Sequence, residues 1–155
     1  MASDPIQFGG EELFAAPPER VFAVLTDLDV MAATVPDLVS SERPDPATLK
    51  CVVKPRFSFL RATLRLTISL ADIVPPRSAT MRIAGQGIGV SLEVSSALTI
   101  EPAESGSRLR WTARVDQMGG LMASVPSGLI TGAADKIIRQ GWQSVRERLG
   151  EGTAT

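Results

Sequence analysis

The chain contains no histidine, no tyrosine and no asparagine. Their absence removes the commonest general base, the commonest nitrogen ligand for a metal and the phenolic acid. A Ser-His-Asp triad cannot be assembled. With a single cysteine, Cys51, the usual Cys/His zinc sites are excluded as well. The same count excludes an internal disulfide and fits a reducing compartment; in "KCVVK" Cys51 reads as a small buried thiol. Acid–base chemistry would fall to carboxylates or to Lys50, Lys54 and Lys136. A non-catalytic protein is therefore expected, with no metal and no cofactor. No window approaches the ~18 uninterrupted apolar residues of a spanning helix. The opening "MASDPIQFGG" has neither the basic nor the apolar part of a secretory signal, so a cytoplasmic location is expected. A net charge of −1 gives no reason to expect a nucleic-acid partner.

What is present is ordinary globular material, 155 residues with 44% hydrophobic and 21% charged side chains. One domain over 1–155 is expected, with 5–149 folded and 150–155 a flexible tail. The clearest local pattern is "LRATLRLTISL" at 60–70. Leu60, Ala62, Leu64, Leu66, Ile68 and Leu70 alternate with Arg61, Thr63, Arg65, Thr67 and Ser69. A period of two marks a strand with one dry and one wet face.

Further strands are expected at 6–14, 38–43, 48–54, 59–73, 78–89, 90–102 and 107–117. Between the first two, Pro17, Pro18 and Glu19 start a helix, and "DVMAATVP" supplies a second short one. "GQGIGV" at 85–90 is followed by another alternating strand rather than a helix, so it reads as a glycine-rich hairpin and not a dinucleotide loop. From Gly119 the period becomes helical for about 30 residues. Pro126 kinks that helix or marks its true start, with Ser124 as a candidate cap.

Six or seven antiparallel strands at ~4.8 Å spacing span roughly 30 Å, whereas one helix is about 10–12 Å across. The order β-α-α-β6-α can hide its apolar faces only if the sheet bends around the last helix. The fold class is therefore α+β, a strongly curved six- to seven-stranded antiparallel sheet wrapped around a long C-terminal helix. That helix is rich in small residues. They either let helix and sheet close together, or leave an apolar hollow of the kind that binds hydrophobic small molecules.

"FAAPPERVFAVLTDLDVMAATVPDL" resembles the start of START-like (SRPBCC, polyketide cyclase-like) domains, and more narrowly the carbon monoxide dehydrogenase G-subunit family. Gly10-Glu11, Ala16-Pro17, Val21-Phe22, Leu25-Thr26-Asp27 and Val35-Pro36-Asp37 stand where that family has its N-terminal motifs. "LADIVPPRS", "GQG", "SRLRWTARV" and "GGLMA" extend the resemblance over residues 8–149. It implies a helix-grip fold around a hydrophobic cavity. It also implies a non-catalytic accessory role to a CO dehydrogenase-type molybdenum hydroxylase, through membrane recruitment or a lipid- or quinone-like carrier. Asp37 departs from the family's usual turn glycine, and Pro126 falls in a helix that is usually smooth.

By strand parity the hollow is lined by Leu64, Leu66 and Ile68, by Met81 and Ile83, and by Leu92, Val94 and Leu98. Trp111, Ala113 and Val115 complete the sheet side, and Leu121, Met122, Val125, Leu129 and Ile130 the helix side. Glu12 shares parity with Phe8, Gly10 and Phe14. Its carboxylate is therefore paired, protonated or near a mouth, where it could orient a polar ligand head, or it is reached by water through a bulge at Gly9-Gly10 or an edge position. Arg61, Arg65, Arg82, Arg110 and Arg114 share the outer parity. They form either a basic face for a partner protein or peripheral membrane contact, or a solvated face balanced by Glu93, Glu101 and Asp116. A cyclase-like enzyme and a cavity-free interaction module remain the alternatives to a ligand carrier.

Overall fold

The computed structural model describes residues 6–35, 37–55 and 63–150, without the side chains of Thr34 and Leu121. The first strand, β1 (Gln7–Phe14), leads into two short helices, α1 (Pro18–Leu25) and α2 (Leu28–Thr34). Proline at the start of α1 is preset for a helix and lacks only an N–H that the helix would not use. Asp27 caps α2 by accepting hydrogen bonds from the backbone N–H groups of Asp29 and Val30 at 2.9 and 3.3 Å.

Six strands follow: β2 (Leu38–Asp45), β3 (Thr48–Val53), β4 (Leu64–Val74), β5 (Ser78–Gly87), β6 (Val90–Ala103) and β7 (Gly106–Gly120). All neighbours are antiparallel, and β1 returns beside β7, giving the order β1-β7-β6-β5-β4-β3-β2. β1 and β2 are therefore the edges. Leu60, Arg61 and Ala62, which open the alternating stretch, lie outside the described residues. The sheet curves around the C-terminal helix as the element order requires. Register shifts in β2–β3, β4–β5 and β6–β7 add local bends.

Three local expectations are corrected. β7 does not stop near residue 117 but runs to Gly120, because the β6 ladder continues past a bulge to pair Val90 with Gly120. The terminal helix is divided into α3 (Leu121–Ser124) and α4 (Ser127–Arg148). Pro126 sits at the N-cap of α4, so it marks the start rather than a kink, and Ser124 ends α3 instead of capping α4. Finally, β1 pairs with β7 in unbroken register from Gln7 to Phe14, so there is no bulge at Gly9-Gly10.

The glycine-rich stretch is a hairpin, as expected. Gly87 pairs with Val90 across Ile88 and Gly89, and Gly89 takes φ 72°. Gly120, at φ 63°, is packed so closely that a Cβ there would collide with the Gly89 carbonyl oxygen. This contact lets the chain turn abruptly from β7 into α3. Asp37 also adopts a left-handed φ of 58°. Aspartate tolerates that region better than most side chains.

Two apolar clusters result. One joins Leu28 of α2, Leu49, Cys51 and Val53 of β3, Leu64 and Ile68 of β4, Val90, Met122 and Ile130. The other joins Phe14, Ala16, Val21, Phe22, Ala79, Ile100, Leu109 and Leu149. Ser107 is fully buried beside the second, and its hydroxyl donates to the Ala16 carbonyl at 2.6 Å.

Candidate functional site: the concave face of the sheet

Strand registers line the sequence-assigned residues up in rows, since directly opposed residues share a face. One row runs Ile68–Ile83–Val94–Val115, and another Leu70–Met81–Ser96–Ala113–Phe8. Leu66, Gly85 and Leu92 form a third, and Ala79, Leu98, Trp111 and Gly10 a fourth. Leu64, Ile68, Met122 and Ile130 are buried, while Leu66, Met81, Ile83, Leu92 and Val125 are half-buried against the first cluster. Leu98 and Trp111 pack on the second cluster. Val94, Ala113 and Val115 are half-buried and belong to neither. Leu129 stands 48% exposed in the first turn of α4. The side chain of Leu121 lies outside the described residues.

Met118 is a member of this face that sequence parity missed. Val94 opposes Val115 while Glu93 opposes Gln117, so Asp116 is an extra residue in β7 and the alternation slips there. An inward Val115 is thus followed by an inward Met118, at odd spacing. Leu49 and Cys51 of β3 are also on the core side; Cys51 is buried as expected, whereas Leu49 was not singled out in the sequence. Burial pushes the Cys51 thiol above its ordinary pKa, as an apolar site should.

The helix side is less filled than the sheet side. Ile130, Ala134, Ile138, Gly141 and Val145 share a face of α4 by their spacing. Within α4 itself, only Ile130 is buried. Gly141 is half-buried, yet nothing lies within 4 Å of where its Cβ would stand; the exposed Gly128 and Gly132 likewise meet nothing. The small residues of α4 therefore do not mediate close helix–sheet contact at these positions.

Near its C-terminus α4 is held firmly. The Trp142 ring lies 5.9 Å from Trp111 and 6.1 Å from Phe14. The Arg146 guanidinium sits 4.6 Å over the Phe14 ring and donates to Glu12 Oε1 and to the Leu13 carbonyl, both at 2.7 Å. Glu12 is thus on the inner face and paired, with its side chain 25% exposed. The Trp111 Nε1 is buried against Gly10 and has no hydrogen-bond partner among the described residues.

The outer face is balanced by its own carboxylates. Arg110 and Arg108 each reach both Glu11 and Glu101 at 3.3–3.7 Å. Arg114 donates to Asp116 at 2.8 Å. The Arg114 hydrogen bond, then one from Ser95, holds the Asp116 carboxyl below its usual pKa, with Arg82 adding a smaller pull. Arg65 and Arg82 are exposed on the same side, and Arg61 lies outside the described residues. Glu11 and Arg108 are partners that the choice of five arginines overlooked. Among the described residues no group of three or more carboxylate or cysteine side chains is placed to hold a metal, and no helix is long and apolar enough to cross a membrane.

A conserved protein from Geobacillus kaustophilus is similar in structure, with a TM-score of 0.85 at 16% identity over 94% of this chain and 95% of that one. A START superfamily protein from Mycobacterium smegmatis gives 0.65 at 13% identity over 96% and 99% of the two chains. Ara h 8.0201 gives 0.66 at 16% identity over 94% and 97%. At such identities the likeness establishes the fold, which is START-like. No curated protein matches by sequence. The sequence pattern of the carbon monoxide dehydrogenase G-subunit family (CoxG) matches residues 10–150. That span runs from the edge strand that meets Trp111 to the end of the gripped helix, and the chain belongs to the CoxG family of carbon monoxide dehydrogenase G-subunit proteins.

Proposed function

We propose that the concave face takes up a hydrophobic small molecule, lipid- or quinone-like, and carries it without transforming it. Gly141 is the observation that carries this reading. A glycine inside a helix costs about 1 kcal/mol relative to alanine. Here it sits on the inner face, half-buried, with open space in front of it and no close packing to offset that cost. On the sheet, Leu66, Met81, Ile83 and Leu92 stay half-buried, which leaves apolar surface on the concave face for a ligand. Glu12 is the carboxylate nearest to acid–base use on this face, and Arg146 already engages it. That engagement favours a binding role over a cyclase-like reaction, with Glu12 available to orient a polar ligand head. Membership of the family supports the finer reading of a cytoplasmic accessory to a CO dehydrogenase-type molybdenum hydroxylase.

Organic extraction of the purified protein followed by mass spectrometry tests the cargo, and an apolar molecule retained through purification is expected. Titration with N-phenyl-1-naphthylamine should give saturable fluorescence enhancement. Gly141→Phe should weaken that binding at least tenfold without lowering the thermal midpoint. No retained molecule together with no saturable probe binding would end the reading.

A further inference from the structure

Buried polar side-chain atoms are almost always hydrogen-bonded, and each exception asks for a cause. Among the described residues one is left without a partner, the indole Nε1 of Trp111. Trp111 lies on the inner face, in the row Ala79–Leu98–Trp111–Gly10. Its N–H edge covers Gly10 of the edge strand, so closely that a Cβ there would stand 3.3 Å from Nε1. The Trp142 ring of α4 leans on the indole at 5.9 Å, tilted by 47°. Gly10 has no side chain to offer, and a ring face is only a weak acceptor. Glu12, two residues along β1 on the same face, accepts instead from Arg146 at 2.7 Å.

We propose that the Trp111 N–H is the donor that reads the ligand's head, and that this head is a neutral carbonyl oxygen on an apolar body. The proposal rests on the ligand role stated above and adds the side chain that selects the cargo. A donor in apolar surroundings gains more from an acceptor than it would in water. An analogue without the acceptor leaves the donor unpaired, so the site discriminates against it. A carboxylate head fits less well, because Arg146, which could balance its charge, already engages Glu12. Nε1 is shielded from solvent, so an acceptor reaches it only as neighbouring side chains shift. The Trp111–Trp142 contact is the one such a shift disturbs, and these are the chain's only two tryptophans. Their indole signals therefore report on the site directly.

The test displaces N-phenyl-1-naphthylamine from the full chain with three competitors. They are 2-acetylnaphthalene, 2-ethylnaphthalene, which lacks the carbonyl, and 2-naphthoate, which carries a charge. The affinity ratio of the acetyl to the ethyl compound should fall about fivefold in Trp111→Phe, as loss of one buried hydrogen bond requires. It should hold in Trp142→Phe, which removes the neighbouring ring but keeps the donor. 2-Naphthoate should bind more weakly than the ketone. In isotope-labelled wild type, the Trp111 indole proton, assigned by the signal that survives in Trp142→Phe, should lie further downfield with the ketone than with the ethyl compound. That spectrum carries the test by itself should Trp111→Phe not fold. An unchanged ratio in Trp111→Phe, an equal fall in Trp142→Phe, an unmoved indole proton, or tighter binding of 2-naphthoate than of the ketone would each overturn the proposal. Saturable binding of N-phenyl-1-naphthylamine to wild type reads the ligand role separately. If the probe saturates while the ratio ignores Trp111, only the donor assignment falls; if the probe fails to bind, the ligand role falls with it.

Discussion

Single residues separate two kinds of polar group in this protein. Glu12 is legible in the sequence as a carboxylate on a dry face, but its partner is 134 positions away, on a helix whose rotation no local pattern reveals. Removing its charge in Glu12→Gln should destabilise the fold by about 1 kcal/mol, since the pair is partly shielded and charge-assisted. The corresponding fall in thermal midpoint is about 2–4 °C for a chain of this size. Unchanged probe affinity in the same variant would show that Glu12 holds α4 to β1 and does not orient the ligand. Asp116 lies in water on the opposite face. Its pKa is depressed in the fold, so its contribution to stability is present above the unfolded-state pKa near 4 and fades as pH falls through the lower folded value. A carboxyl NMR titration should place its midpoint below that of an unperturbed aspartate, and Arg114→Gln should move it upward.

At the scale of elements, the joint between β7 and the terminal helices is where sequence reasoning strayed furthest. Helical periodicity from Gly119 onward was real, but Gly119 and Gly120 belong to the strand, drawn there by pairing with Ser91 and Val90. The close approach of Gly120 to Gly89 is a tertiary event, and only the unexplained "GG" hinted at it. Gly120→Ala should therefore destabilise by ~2–4 kcal/mol, through both the positive φ and the blocked contact, as measured by chemical denaturation. Gly141→Ala should do the opposite. It meets open space in a regular helix, so a gain of about 0.5–1 kcal/mol is expected. The two glycines look alike in the sequence and differ only in what stands in front of them.

At the scale of the whole molecule, the proposed ligand role couples binding to stability. N-phenyl-1-naphthylamine at a hundred times its Kd should stabilise the fold by about 2.7 kcal/mol. Calorimetry should show this as a midpoint higher by roughly 5–10 °C. Alternation in β4 through β7, a proline-started first helix followed by a second short one, and the mismatch between sheet width and helix width were enough to determine a curved sheet gripping its last helix. Each of those is a local periodicity, or a count of how much surface must be covered. The tertiary structure alone decided which strand edge receives Arg146, how the extra residue Asp116 resets the inner face so that Met118 joins it, and whether the small residues of α4 close the space or leave it open. Those outcomes depend on where distant backbones come to rest, within an ångström or two, and no periodicity along one chain encodes a distance between two of its parts.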